Sequence, residues 1–361
     1  ELPWQLFCSC GSFDEVILPP NITNFCVLVF EECSINRIIF TSTGENILDL
    51  TNSFEDFDVE LQEAIFSPNC KVILDSTFSN CVNLSHVVLP QTPFELSGTF
   101  KSCSNLTKVE NLEYCTKIGD FTFYECKVLT DVEFNDKLTD IGDSSFFNCR
   151  ELTTIDLKNV KNVGSSSFRK CLKIKSVTMK QVETLGQFAF AEIQSLSTIE
   201  LPSTLQSIES YCFTATALET ITGDVSGITE LETAFMGCKD LISIPIFNSI
   251  KIIGASAFKE CNKLKRFECG DQLESVWSNA FEGCRGLEEF NTTSKGYEIS
   301  GEGFLNCLSL KSFNFDNVIA LSNNAFEGCT SLKSVDFSRS QINELPWQLF
   351  CSCGSFDEVI L

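Results

Sequence analysis

Histidine is nearly absent from this sequence, and the usual catalytic arrangements are missing with it. The 361 residues contain one histidine, His86, which alternation with Val87 and Leu89 predicts to face outward. There is no phosphate-binding glycine loop, no nucleophile elbow and no paired histidine–glutamate metal motif. Aspartate and glutamate are plentiful, but no pair is set apart by its surroundings for acid–base work. We therefore expect no enzyme activity, no metal site and no cofactor.

Long apolar runs and basic charge are also scarce. No stretch approaches the ~20 apolar residues that span a bilayer, so we expect no direct membrane insertion. Lys and Arg number 26 against 49 Asp and Glu, which gives a net charge of −23. Such a charge repels nucleic acid and anionic lipid, and it leaves a protein ligand, in particular a basic one, as the expected partner. Solubility is the plainer explanation of the same acidity.

Phenylalanine, by contrast, is abundant: 33 Phe stand against 4 Tyr and 3 Trp. Sixteen of them recur at spacings of 22 to 24 residues and define a ladder of positions: Phe7, Phe30, Phe54, Phe78, Phe100, Phe123, Phe146, Phe168, Phe190, Phe213, Phe235, Phe258, Phe281, Phe304, Phe326 and Phe350. An internal repeat of this length indicates a solenoid, in which each turn buries its apolar face against the next. We expect the rings to stack in one buried row.

Cysteine follows the same period, because most ladder phenylalanines are followed three residues later by a ladder cysteine: Cys10, Cys33, Cys81, Cys103, Cys126, Cys149, Cys171, Cys238, Cys261, Cys284, Cys307, Cys329 and Cys353. With Cys70, Cys115 and Cys269 in other core positions, we interpret sixteen of the twenty cysteines as buried, small apolar residues. Four lie outside the pattern: Cys8, Cys26, Cys212 and Cys351. The alternatives are disulfides between turns and a metal site at Cys8-Ser9-Cys10, which lacks a second pair of ligands.

Two local patterns in each turn predict its fold. Alternation in segments such as Thr154–Leu157 indicates a short strand, and apolar residues spaced by three in Ser145–Leu152 indicate one or two helical turns. The sequence therefore predicts an α/β repeat solenoid, a right-handed leucine-rich-repeat coil with a parallel sheet on one face and short helical turns on the other. We expect a single continuous solenoid of about 15–16 turns over residues 1–361.

The turn consensus resembles the BspA-like class of leucine-rich repeats of about 23 residues. Segments Ile141–Leu157 and Ile253–Leu264 are near-complete copies of it, and the resemblance covers essentially the whole chain. It implies a cell-surface or extracellular module of bacteria or parasitic protists that binds a host or matrix protein. The family also contains proteins without an export signal, so the resemblance does not assign a compartment.

One surface feature stands out on the predicted sheet. The outward position between the two core residues of a strand is acidic in six turns: Glu110, Glu133, Asp156, Glu200, Glu268 and Asp336. Adjacent strands would place such side chains about 5 Å apart, where like charges repel. A binding stripe for a basic segment or for cations is one interpretation of this acidic row, and solubility is the other.

A second, much longer recurrence is exact. Residues 344–361 copy residues 1–18 without change, an offset of 343 residues. We therefore expect a structural segment of a long tandem-repeat protein or filament that presents a protein-interaction surface and joins end to end with further copies of itself. The alternative, from the resemblance, is a cell-surface adhesion or ligand-binding module.

Overall fold

The computed structural model describes residues 6–23, 29–30, 32–42, 46–55 and 60–361, which form two compact units, 1–178 and 179–361. In the first unit the described residues form one short 3₁₀ helix, Leu112–Tyr114, and the following strands: β1 Gly11–Leu18, β2 Cys33–Phe40, β3 Ile47–Asp49, β4 Glu63–Phe66, β5 Lys71–Asp75, β6 His86–Val88, β7 Phe94–Ser97, β8 Lys108–Glu110, β9 Cys115–Ile118, β10 Asp140–Ile141, β11 Thr154–Leu157, β12 Asn162–Val163 and β13 Ser176–Met179.

The second unit has the same make-up. Its strands are β14 Thr184–Leu185, β15 Thr198–Leu201, β16 Ser207–Ile208, β17 Thr220–Gly223, β18 Glu230–Leu231, β19 Ile252–Ile253, β20 Arg266–Cys269, β21 Ser275–Val276, β22 Glu289–Thr292, β23 Tyr297–Ile299, β24 Val318–Leu321, β25 Ser334–Asp336 and β26 Glu358–Ile360. The strands alternate along the chain between two positions in the turn. Front strands follow the ladder cysteine position, and side strands precede the ladder phenylalanine.

Neighbouring strands pair in parallel within each unit, as the alternation predicted. In the first unit the front sheet has the order β1-β2-β4-β6-β8 and then, separately, β11-β13, while the side sheet includes β12-β10-β9-β7-β5-β3. In the second unit the front strands form the pairs β15-β17, β20-β22 and β25-β26, and a side sheet has the order β18-β19-β21-β23-β24. Most registers are regular, for example Thr198 opposite Thr220 and Ile199 opposite Ile221, and the register shifts between β7 and β9 and between β23 and β24.

The predicted ladder of rings forms the core of both units. Every ladder ring from Phe78 to Phe326 is buried, with 0% of its surface exposed, and only the outermost members Phe7 and Phe350 reach solvent. Ring centroids of successive turns lie 5.1–5.9 Å apart from Phe78 to Phe168 and 5.1–5.7 Å apart from Phe190 to Phe326. Each buried ring contributes roughly 1.5–3 kcal/mol before its loss of freedom is counted.

The ladder thiols are donors as well as packing groups. Cys149 Sγ lies 3.1 Å from the carbonyl oxygen of Phe123, one turn back, and Cys284 Sγ lies 3.0 Å from that of Phe258. The same contact occurs in twelve turns. Cysteine suits this position because it is a small apolar residue that also carries a weak donor.

The helical turns predicted after each ladder phenylalanine are wrong. In nearly every described turn, the residue two positions before the ladder ring and the residue two positions after it adopt left-handed backbone angles. Around Phe146 these residues are Ser144 (φ 52°) and Asn148 (φ 61°). An α-helix cannot contain such residues. The backbone bonds to the next turn instead, because Phe146 N–H donates to the Ser167 carbonyl at 2.8 Å. Each unit is therefore a parallel β-solenoid whose third side consists of turns.

Two of the cysteine predictions are also wrong. Cys10, expected to be buried, is exposed, whereas Cys212, expected to lie outside the core, is 0% exposed. Cys212 directly precedes a ladder ring, and that position is a buried slot for small residues, such as Ala189 and Ala257 in other turns. Cys8 and Cys351 reach solvent as predicted, and Cys26 lies outside the described residues. All the other ladder and core cysteines are buried.

Candidate binding surface on the front sheet

The front sheet of the first unit begins with alternating charges across its strands. Arg37 on β2 lies opposite Glu15 on β1 and Glu63 on β4. Its Nε donates to Glu63 Oε2 at 2.5 Å, and its Nη1 lies 3.4 Å from Glu15 Oε2. The guanidinium thus neutralises carboxylates on both neighbouring strands.

His86 continues this pairing on β6. Its Nδ1 lies 2.8 Å from Glu63 Oε1, and its Nε2 lies 3.1 Å from Glu110 Oε1. Glu110 also accepts a hydrogen bond from Lys108 Nζ at 2.5 Å. Glu110, the first member of the acidic row, is therefore already paired with two neighbours. His86 faces outward as predicted, but its ring is held between two carboxylates.

These contacts shift the acidity of both carboxyl groups. Burial acts to raise the pKa of Glu63, but hydrogen bonds from His86 and Arg37 outweigh it and hold that pKa below its ordinary value. The hydrogen bond from Lys108, followed by that from His86, lowers the pKa of Glu110. Both groups thus remain anionic at neutral pH and belong to a balanced network.

The sheet is interrupted one turn further on, at residues 131–134. This segment forms no strand, and β8 and β11, on either side of it in sequence, belong to separate sheets. In a regular turn an inward-facing residue donates its N–H to the next strand, as Leu89 does to Glu110 O at 3.1 Å. Here Asp131 Oδ1 accepts the N–H of Val132 at 3.0 Å, so a local side-chain bond replaces the ladder bond.

A groove of about 440 Å³ accompanies this interruption. Val132 and Phe134, which parity places on the inner face, are half-buried there, whereas Ile155 at the corresponding position of β11 is buried. The groove extends over three successive turns and is lined by Asp131, Val132, Glu133, Phe134, Asn135, Leu138, Thr154, Ile155, Asp156, Lys158, Asn159, Val160, Ser176 and Thr178. Its lining thus combines apolar side chains with carboxylates.

The carboxylates of the groove differ from Glu15, Glu63 and Glu110 because they form no ion pair. Asp131, Glu133 and Asp156 are exposed, and among the described residues no cation lies within ion-pair distance of any of them. Lys158, the one cation in the lining, pairs with Asp136 at 2.7 Å. Two members of the predicted acidic row, Glu133 and Asp156, are thus brought to one groove without an ion pair, although Lys158 also attracts Asp156 at longer range.

The remaining members of the row lie in the second unit and do not meet one another. Glu200 lies opposite Thr222, Glu268 opposite Asn291, and Asp336 opposite Ile360. Glu200 and Asp336 are exposed and Glu268 is half-buried. The structure therefore separates the six carboxylates into a paired one, Glu110, two at the groove, and three in the second unit, of which Glu268 and Asp336 lie near Arg266 and Arg339.

Sequence reasoning missed two features of this surface. It compared only one outward position per strand, and so it overlooked the cations two residues before that position: Arg37, Lys108 and Arg266. Arg266 pairs with Glu289 at 2.5 Å. It also missed Asp131. An aspartate directly before the first inward residue is a usable signal, because its short side chain can capture the following N–H.

Two further features were sought in the described residues: a cluster of metal ligands and a helix that could span a membrane. No group of three or more His, Cys, Asp or Glu side chains there could hold a metal ion. No helix in the same residues has the length and apolar character that crossing a membrane requires.

Comparison with known proteins agrees with this geometry. A family model described as a BspA type leucine rich repeat region of six copies matches residues 1–98, 96–219, 161–287 and 229–357. The chain belongs to the BspA-type leucine-rich repeat family. Among curated proteins this BspA-type chain finds no match.

One solved structure supports the fold, and two others are reported as similar chains. A leucine-rich repeat protein from Bacteroides ovatus is 26% identical, with a TM-score of 0.61 over 81% of this chain and 85% of that one. A leucine-rich repeat protein from Eubacterium ventriosum is 16% identical over 86% and 92% of the two chains, with a TM-score of 0.48. A leucine rich cell surface protein from Faecalibacterium prausnitzii is 18% identical over 97% and 88%, with a TM-score of 0.43.

Proposed function

We propose that this BspA-type chain is a structural repeat scaffold that binds a basic segment of a partner protein on the front sheet of its first unit. The observation that carries the proposal is the difference in pairing along that sheet. Glu15, Glu63 and Glu110 form ion pairs with cationic neighbours, whereas Asp131, Glu133 and Asp156 form none, and Asp156 has only the longer-range attraction of Lys158. Unneutralised carboxylates in one groove repel each other, and a bound cationic segment would relieve that repulsion.

Binding of a short peptide that alternates lysine with serine tests this proposal. We expect affinity at low ionic strength and its loss at high ionic strength, because exposed charges are screened. The double variant Glu133→Gln with Asp156→Asn should weaken binding about tenfold, since it removes two charges from the groove.

The matched control removes two acidic charges elsewhere. The double variant Glu200→Gln with Glu268→Gln makes the same change in net charge on carboxylates of the second unit. We expect it to bind the peptide as the unaltered protein does. An equal loss in both double variants would assign the attraction to the overall charge of −23 and would contradict the proposed site.

A second candidate function, one period of a long tandem array, is favoured by the exact copy of residues 1–18 at 344–361. The two copies pair with different neighbours. Glu15–Ile17 lies beside Arg37–Ile39, and its copy Glu358–Ile360 lies beside Ser334–Asp336. One strand of this sequence could therefore pair on both edges and join two periods of 343 residues.

A fusion of two such periods through one shared copy of the segment tests the junction. We expect the amides of the shared strand to exchange with solvent as slowly as those of β2 and β4, because both of its edges would be paired. Exchange as fast as that of β1 in a single period would show that the periods do not join in register.

The alternative implied by the family, adhesion to a host or matrix protein, would use the same front sheet. Binding of intact chain to immobilised matrix proteins, compared between the two double variants, separates adhesion through the groove from adhesion elsewhere. Equal binding by both variants would place the adhesive surface outside the groove.

A further inference from the structure

The groove at residues 131–134 exposes an apolar floor on the first unit's front sheet. Val132 and Phe134 remain half-buried, and Phe134 touches the ladder only edge-on, at 5.8 Å from the ring centroid of Phe146. At the position of Val132, Val87 and Ile155 are buried, but Val109 and Val177 are half-buried like Val132 itself. At the position of Phe134, by contrast, Leu89, Leu157 and Met179 are all buried. The opening onto the core therefore lies at Phe134, where the strand ladder is broken.

The size and lining of the groove suit a side chain better than a flat charge contact. Its volume of about 440 Å³ falls within the roughly 300–1,000 Å³ typical of ligand sites. Leu138, Ile155 and Val160 lie in the lining beside Val132 and Phe134, so an inserted apolar group would meet apolar atoms on several sides. Burial of that group would add a contribution that salt does not screen.

The mouth of the groove carries a net negative charge. Asp131, Glu133 and Asp156 are exposed around the apolar floor, and Lys158 is engaged with Asp136. Cationic groups on either side of an inserted apolar side chain would therefore meet carboxylates, whereas anionic ones would be repelled. Charge complementarity thus selects which apolar segment can approach.

We infer that the groove binds an extended peptide segment of a partner protein in which a bulky apolar side chain is flanked by lysine or arginine. This inference rests on the proposed function and specifies its ligand. The apolar side chain occupies the space over Val132 and Phe134, and the flanking cations contact Glu133 and Asp156. The apolar anchor supplies the specificity, and the charges supply orientation and rate of encounter.

Three short synthetic peptides test the inference on the intact chain: lysine alternating with leucine, lysine alternating with serine, and glutamate alternating with leucine. We expect the lysine–leucine peptide to bind about tenfold more tightly than the lysine–serine peptide and the glutamate–leucine peptide not to bind. High salt should abolish binding of the lysine–serine peptide and leave part of the lysine–leucine affinity.

A pair of variants locates the excess affinity. Ser176 is an exposed groove residue at the start of β13, so Ser176→Trp fills the groove from its rim without altering the core. Ser334, also exposed at the start of a front strand, lies outside the groove and gives the matched control Ser334→Trp. We expect Ser176→Trp to remove the tenfold preference for leucine and Ser334→Trp to keep it.

The possible outcomes distinguish the apolar anchor from the binding of a basic segment. Equal binding of both lysine peptides, unaffected by Ser176→Trp, would overturn the apolar anchor while leaving the basic-segment proposal in place. Absence of binding by both lysine peptides would overturn the two together. Tight binding of the glutamate–leucine peptide would show that the carboxylates do not select the ligand, and it would overturn the inference as well.

Discussion

The ladder of rings and thiols repeats almost without change from turn to turn, whereas the front sheet of the first unit does not. Along the ladder, each turn places a buried ring about 5 Å from the next and most add a thiol bonded one turn back. On the front sheet, by contrast, the ladder of strands stops at residues 131–134, and the outward charges change from paired to unpaired. In the close-packed interior, any change of side-chain size or backbone position lowers stability, whereas a solvated face tolerates such changes. Variation on that face is therefore where binding specificity can develop.

Alkaline pH should break the ladder and with it the whole fold, which is the largest effect we expect. Burial raises the pKa of twelve thiols, to about 11 at Cys70, Cys238 and Cys269. A group with a raised folded pKa stabilises the fold below its unfolded pKa, here near 9, and loses that contribution as pH rises. At about 1.4 kcal/mol per thiol per pH unit the total loss is on the order of 15 kcal/mol per unit, comparable to the entire stability of a domain. Unfolding followed by circular dichroism should begin between pH 9 and 11.

A thiol-depleted variant tests the cause of the alkaline transition. Replacing Cys126, Cys149 and Cys171 by valine should make the decline of stability with pH shallower by about three protons. Replacing the half-buried Cys8 and the exposed Cys351 by valine should leave that decline unchanged. The same slope in all three proteins would show that lysine and tyrosine titration, and not thiol ionisation, drives the transition.

A second prediction contrasts two rings that touch each other. Phe146→Ala removes a ladder ring that is 0% exposed and stacked on both sides, so we expect a loss of roughly 3–5 kcal/mol in the free energy of unfolding. Phe134→Ala removes a half-buried ring over the groove and should cost about 1 kcal/mol. Urea titration of both variants measures the difference. Similar losses would mean that the groove floor is as much a part of the core as the ladder.

The sequence predicted the parts of this molecule that repeat. The ladder of Phe146 and its equivalents and parallel strands such as Thr154–Leu157 followed from spacing alone, because burial imposes the same residue types in every turn. The prediction of helical turns was wrong because apolar residues spaced by three fit any compact turn and not only a helix. Left-handed backbone at positions such as Ser144 is a conformation that the sequence signals only weakly. The groove could be predicted only in part: Asp131 signals the lost ladder bond, but the volume and lining of the groove depend on how three successive turns pack.

The smallest expected effect compares a paired carboxylate of the front sheet with an unpaired one. Glu63 accepts hydrogen bonds from Arg37 and His86, whereas Glu133 has no cation in contact. Because these partners are themselves largely exposed, Glu63→Gln should cost no more than about 1 kcal/mol, and Glu133→Gln should leave stability unchanged or slightly raise it.

The pH dependence of the Glu63 effect has a definite sign. The folded pKa of Glu63 lies below its ordinary value of 4.5, so its contribution is present above that pH and is lost as pH falls through the folded pKa. The difference in stability between the unaltered protein and Glu63→Gln, measured by urea unfolding, should therefore shrink below about pH 4. A difference that persists in acid would mean that glutamine disturbs packing between β2 and β6, and that charge pairing on this half of the sheet contributes nothing that the groove lacks.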